Sequence, residues 1–133
     1  MALTIASGTR DAQLSGLASD VGNAGLLRIY SGTRPAGPGS AVGSATLLAQ
    51  LTCASPFGTA SGGTLTLGSI TSAAATADGT AAWFRITTSG GTGKIDGSIT
   101  ATGGGGDLTF ATTTVTTGVT VSISSATLTA GNA

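Results

Sequence analysis

Histidine and glutamate are absent from this 133-residue chain, and lysine and cysteine occur once each. Each absence removes a class of chemistry. Without histidine there is no Ser-His-Asp triad, no Cys-His dyad and no imidazole metal site. The five carboxylates, Asp11, Asp20, Asp78, Asp96 and Asp107, are scattered, whereas a calcium loop gathers several in one short segment. Five cations balance them to a formal net charge of zero, so the basic footprint that displaces counterions from nucleic acid is missing. Charged residues make up only 8% of the chain, about a third of the usual share in a soluble domain. The lone Cys53 can form no intramolecular bridge. No apolar run approaches the roughly 20 residues of a membrane helix. The start, Met1-Ala2-Leu3-Thr4-Ile5-Ala6-Ser7, has no basic n-region and no continuous apolar stretch, so no signal peptide is expected. The inventory predicts no catalytic residues, no metal and no cofactor, and neither nucleic acid nor membrane as partner.

What is present is small. Gly, Ala, Ser and Thr account for 85 of the 133 residues, a bias that suggests either low complexity or a strand-rich fold. Disordered chains are typically charged and poor in β-branched residues, yet Thr, Val and Ile run through this one. A single folded domain over residues 1–133 is expected, long enough to bury a core without disulfides.

Periodicity predicts one helix, within residues 9–22. Thr9 would be its N-cap, Arg10 to Val21 its body, and Leu14, Leu17, Ala18 and Val21 its apolar face. Asn23 and Gly25 follow as residues that tolerate a left-handed cap. The remainder alternates with period two and reads as strands. In Gly25 to Ser31, Leu27 and Ile29 share one face, Arg28 and Tyr30 the other. Thr46 to Ala54 puts Leu47, Ala49, Leu51 and Cys53 together, which makes Cys53 a buried apolar group. Thr64 to Gly68 aligns Leu65 with Leu67, and Gly68 marks a bulge or bend before Ile70. Thr80 to Thr88 sends Ala82, Phe84 and Ile86 one way and Ala81, Trp83 and Arg85 the other. A turn over Ser89 to Gly93 then leads into Lys94 to Ala101, with Ile95 and Ile99 on one face, completing a hairpin. Thr112 to Val115 and Val119 to Thr129 come last. The second aligns Val119, Val121 and Ile123, then slips phase at Ser124-Ser125, which suits a strand that bends between two sheets. Seven or eight such strands predict an all-β protein, a β-sandwich of jelly-roll or Greek-key type with one short N-terminal helix. Sheet edges of Thr and Ser, almost without Lys to guard them, predict an edge that another chain covers. Two stretches are expected as flexible loops: residues 34–44, rich in Pro and Gly, and 101–107, which contains Gly103 to Gly106.

The motifs that invite chemistry are weak. Gly91-Thr92-Gly93-Lys94 lacks the Ser or Thr of a phosphate loop and the Gly five positions earlier, so it reads as a turn. Asp78-Gly79 and Asp96-Gly97 read as turn formers rather than halves of an acid–base pair with Asp107. Ser-Gly-Thr-Arg occurs at 7–10 and 31–34, a coincidence expected in so biased a chain. Trp83 and Arg85, on the face opposite Phe84 and Ile86, are residue types enriched at protein interfaces. The alternative is that Trp83 packs under the helix or in a second core layer. Arg28, Tyr30 and Arg34 form a second possible interface, or else a solvated strand face with a loop attached.

Leu26-Leu27-Arg28-Ile29-Tyr30-Ser31-Gly32-Thr33-Arg34-Pro35, after an N-terminal helix, resembles the LRIYSGT-x-P run of a family of small proteins encoded by tailed bacteriophages. Thr46-Leu47-Leu48-Ala49-Gln50-Leu51-Thr52 resembles that family's next strand, Gly79 to Arg85 its G-T-A-x-W-F-R strand, and Asp96-Gly97-Ser98 its short D-G-S strand. The likeness runs from about residue 9 to 129, with Gly103 to Gly106 as a departure. It implies a virion structural protein, a capsid decoration or cement protein of sandwich or jelly-roll type. Such a chain would be made in the host cytoplasm and end on the capsid surface. Its partners would be the major capsid protein and itself, as a dimer or trimer. A tail or fibre component is the alternative, or a glycan-binding module for host attachment with Trp83 and Tyr30 as stacking platforms. An enzyme comes last.

Overall fold

A computed structural model of the protein describes residues 4–105, 108–110, 112–123 and 127–129. The chain is mostly strand with one short helix. The helix, α1 (Ser7–Val21), is followed by β1 (Leu26–Tyr30), β2 (Leu47–Thr52), β3 (Gly58–Ser61), β4 (Thr64–Leu67), β5 (Ala73–Ala74), β6 (Gly79–Thr80), β7 (Trp83–Thr87), β8 (Gly93–Ala101), β9 (Leu108–Phe110), β10 (Thr114–Val115), β11 (Thr120–Val121) and β12 (Thr127–Thr129). The main sheet runs β2-β1-β7-β8-β9, and a smaller one runs β12-β4-β3. Two further pairs, β10-β6 and β11-β5, join the late strands to the middle of the chain. All pairings are antiparallel except β8 with β9.

Apolar alternation does the assembling. Leu27 and Ile29 of β1, Ala49 and Leu51 of β2, Phe84 and Ile86 of β7 and Ile99 of β8 turn to one side of the main sheet. There they join Leu65 and Leu67 of β4, Phe57, and Leu14 and Val21 of α1 in a single buried cluster. Cys53 lies in the same cluster, and burial pushes its thiol pKa up to about 11.

The helix starts earlier than its sequence suggests. Ala6 occupies the N-cap position without a side-chain cap bond, and Thr9 lies inside the first turn. At the other end Gly22 takes a positive φ (+78°) with an extended ψ and returns its N–H to Ala18 O. Ala24 (φ +56°), rather than Asn23 or Gly25, supplies the second residue of positive φ.

Parity fails at bulges. Ile29 pairs with Ala49 but Tyr30 with Leu47, so Leu48 is the extra residue on β2. Leu48 is fully buried while Leu47 is only half-buried, which reverses the expected placement of Leu47. A second bulge makes Lys94 the extra residue on β8. The expected strand from Thr80 to Thr88 is divided, since Thr80 belongs to β6 and the chain rejoins the main sheet at Trp83. The predicted hairpin of β7 and β8 is present.

One hairpin went unpredicted. Ser61 pairs with Thr64 across Gly62 and Gly63, both at positive φ (+61° and +82°) as the tightest hairpin turn requires. Asp11 of α1 grips this turn, accepting the Gly63 N–H at 2.7 Å.

The late strands are shorter than alternation implied. Val119 lies in a turn and is 55% exposed, so it does not share the half-buried positions of Val121 and Ile123. The chain does change sheets between β11 and β12. The Ser124-Ser125 phase slip lies outside the described residues. Ala101 ends β8, and a turn closed by Gly104 N–H to Ala101 O leads toward β9. Gly106 and Asp107 lie outside the described residues.

Candidate functional site

The face of the main sheet opposite the core collects most of the residues singled out above. β1, β7 and β8 lie side by side, so alternation stacks Arg28, Arg85 and Asp96 in one row and Tyr30, Trp83 and Ser98 in the next. Tyr30 and Trp83 stack with ring centroids 4.4 Å apart and planes 13° from parallel. The Arg85 guanidinium sits 5.4 Å from the Trp83 ring centroid, within cation–π range.

Arg28 and Arg85 would repel as direct neighbours, and each is drawn to another partner. Arg28 Nε donates to Gln50 Oε1 at 2.9 Å. Arg85 forms a two-pronged ion pair with Asp96, Nε to Oδ1 at 2.7 Å and Nη2 to Oδ2 at 2.9 Å. Asp96 holds the Arg85 guanidinium above its ordinary pKa, against the opposing pull of desolvation. Asp96-Gly97 is therefore no turn. It lies in the middle of β8, where the ion pair to the neighbouring strand overrides the local preference.

The remaining guanidinium donors reach a strap, residues 31–46, that crosses this face. Arg85 Nη1 donates to Ser40 O at 2.8 Å and Nη2 to Gly37 O at 3.0 Å. Gly93 lets the strap approach, because a Cβ there would collide with Pro38 O. The 34–44 loop is thus tied down by a buried cation. Arg85 beneath it is 6% exposed, and its neighbours on the same face, Trp83 and Tyr30, are 1% and 5% exposed.

Four of the five candidate interface residues, Arg28, Tyr30, Trp83 and Arg85, share one face. Three of those four are covered, so Trp83 and Tyr30 are neither an open hot spot nor free stacking platforms for a sugar. Trp83 is buried outside the core cluster that holds the helix residues, stacked on Tyr30, and among the described residues its Nε1 has no hydrogen-bond partner. Arg34 is exposed and stands apart, bordering an open depression of about 410 Å³ with Pro38, Lys94 and Asp96. Lys94 completes the hairpin with an ion pair to Asp20 of α1 at 3.1 Å. Sequence reasoning missed Asp96 and the strap carbonyls. The one readable signal was that Asp96 and Arg85 have matching parity on two strands expected to pair.

Elsewhere, Asp78 Oδ1 accepts both the N–H (2.6 Å) and the hydroxyl (2.8 Å) of Thr117. Those two bonds hold its carboxyl below the ordinary value of 3.8. Among the described residues, no three of His, Cys, Asp or Glu gather where they could hold a metal ion. None of the described helices is long and apolar enough to cross a membrane. Comparisons of the chain with protein-family models, with curated proteins and with solved structures each found no match.

Proposed function

We propose that this protein is a non-enzymatic structural component of a tailed-phage particle, a decoration protein that sits on the outer capsid surface and bridges neighbouring major capsid subunits. One observation carries the reading. The segments that resemble the phage family, residues 26–35, 46–52, 79–85 and 96–98, fall mostly on β2, β1, β7 and β8, which are consecutive in the main sheet, and on the ends of the strap, with Gly79-Thr80 in the short strand β6 just before β7. The resemblance therefore covers a coherent structural unit rather than scattered matches. Its signature side chains, Tyr30, Trp83 and Arg85, are spent on internal packing, as suits a scaffold whose task is to be rigid. The shared core of the main and small sheets supports the β-sandwich architecture.

The surface is consistent with that task. Exposed positions are mostly Thr, Ser, Ala and Gly, which can approach another subunit closely with little charge to desolvate. Binding only to the assembled lattice stabilises it, as any ligand of a native state does. Quantitative mass spectrometry of gradient-purified particles, made with and without this chain, tests the reading. The chain should be present in the particle in proportion to the major capsid protein, and particles lacking it should release their DNA at lower temperature. A copy number far below that of the capsid protein would favour a tail component. Absence from purified particles would end the virion reading.

A further inference from the structure

Among the described residues, no strand pairs with the outer edge of the small sheet. β3 is the edge strand of the β12-β4-β3 sheet, and the tight turn at Gly62-Gly63 determines which of its backbone groups are already used. In a two-residue hairpin the flanking residues exchange hydrogen bonds, and the exchange recurs at every second position. Ser61 and Thr64 flank the turn, and Thr59 pairs with Thr66 two residues on. The Gly68 N–H bond to Phe57 O at 3.0 Å continues the alternation. The N–H and C=O of Gly58 and Ala60 therefore point away from β4, and no bond among the described residues takes them up. They open toward a groove of about 530 Å³ beside α1, walled on the helix side by Ser15, Ala18, Ser19 and Gly22. The edge at β2 differs, since Leu48 O and Thr52 O already accept the N–H groups of Thr76 and Thr71.

We propose that β3 is a self-pairing edge, through which two copies of this chain join antiparallel about a two-fold axis at Thr59. With that centre, Gly58 of one copy lies opposite Ala60 of the other, and Ala60 opposite Gly58. Each pair exchanges two hydrogen bonds, so the four open groups of one strand satisfy the four of its copy. Thr59 meets its own counterpart in the closer, non-bonded pair, where Thr–Thr neighbours are favourable. The chemistry selects this occupant. The groove lining carries no charge, and β3, Gly-Thr-Ala-Ser, is uncharged and has neither the Lys nor the Pro that commonly guards an edge. The proposal stands apart from the virion reading and survives its failure.

Sedimentation equilibrium of the purified full chain tests it, with Ala60→Pro and Thr59→Lys as variants. Pro at position 60 removes an outward N–H while leaving the hairpin bonds intact, and Lys at position 59 sets like charges face to face at the axis. The wild type should dimerise, and each variant should weaken the dimer about tenfold or more, Ala60→Pro through the loss of two hydrogen bonds and Thr59→Lys through like charges set directly opposite. Circular dichroism checks that each variant remains folded. Thr59→Cys, in a Cys53→Ala background, should cross-link into a covalent dimer on mild oxidation, whereas Thr66→Cys on β4 should not. A wild type that stays monomeric at the highest concentration reached overturns the proposal. So does a dimer that both variants leave unchanged, or equal cross-linking from positions 59 and 66.

Discussion

Replacing Asp96 with alanine isolates the Arg85 clamp. The two side chains are 8% and 5% exposed, so the variant leaves a guanidinium buried without its counter-ion. Removing one partner of a buried pair costs about 3–5 kcal/mol. The Gly37 and Ser40 carbonyls still hold two of the donors, which places the expected loss near the lower bound, about 3 kcal/mol. That is a large share of the roughly 5–15 kcal/mol of a typical domain. Trp83, the only tryptophan, is buried beside Arg85 and reports unfolding directly. With a urea dependence of about 2 kcal/mol per molar, the midpoint should fall by roughly 1.5 M. A double variant, Arg85→Met with Asp96→Leu, removes both charges together and should recover at least half of that loss, since apolar replacement of a buried pair is often neutral. It should also free the strap, which limited proteolysis within residues 34–44 would report. An Asp96→Ala midpoint within about 0.3 M of wild type, or a double variant worse than the single one, would refute the clamp.

Other expectations concern separate parts of the molecule. Gly63→Ala places a side chain at φ +82° with its Cβ 2.8 Å from Arg10 Nη1, and thermal melts should show a loss of about 1–2 kcal/mol from the left-handed backbone alone. Cys53, with its thiol pushed up to about 11, should resist a disulfide reagent at about pH 8 in the native state and react promptly in denaturant. Asp78 titrates lower in the folded chain than its ordinary 3.8, so its contribution is present above that value and fades as pH falls through the lower folded pKa. Asp78→Asn should flatten the acid limb of the stability curve, and a carboxyl that titrates at or above 3.8 by NMR would contradict the Thr117 bonds.

The sequence spoke clearly where one periodicity held without interruption. Leu27 with Ile29, Phe84 with Ile86, and Trp83 with Arg85 fall on the faces that alternation assigns them, and Leu14 and Val21 are the buried pair of the helix. It misled where one extra residue reset the phase, as at Leu48, because nothing local announces a bulge. It misled again at Asp96-Gly97, where a turn-like dipeptide is held in a strand by an arginine eleven residues away. The Gly62-Gly63 turn was readable from its two glycines between alternating segments, and the strand before it, with no large apolar residue, drew no notice. The anchoring of the strap to Arg85 was not readable, since it depends on the main-chain carbonyls of Gly37 and Ser40, which carry no residue-specific signal.

A density map of the intact particle tests the central claim most directly. The account predicts density for this chain on the outer face of the capsid, contacting at least two major capsid subunits, with the strap closed over Arg85 on the main sheet. Density confined to the tail, or a capsid surface without this chain, would contradict it.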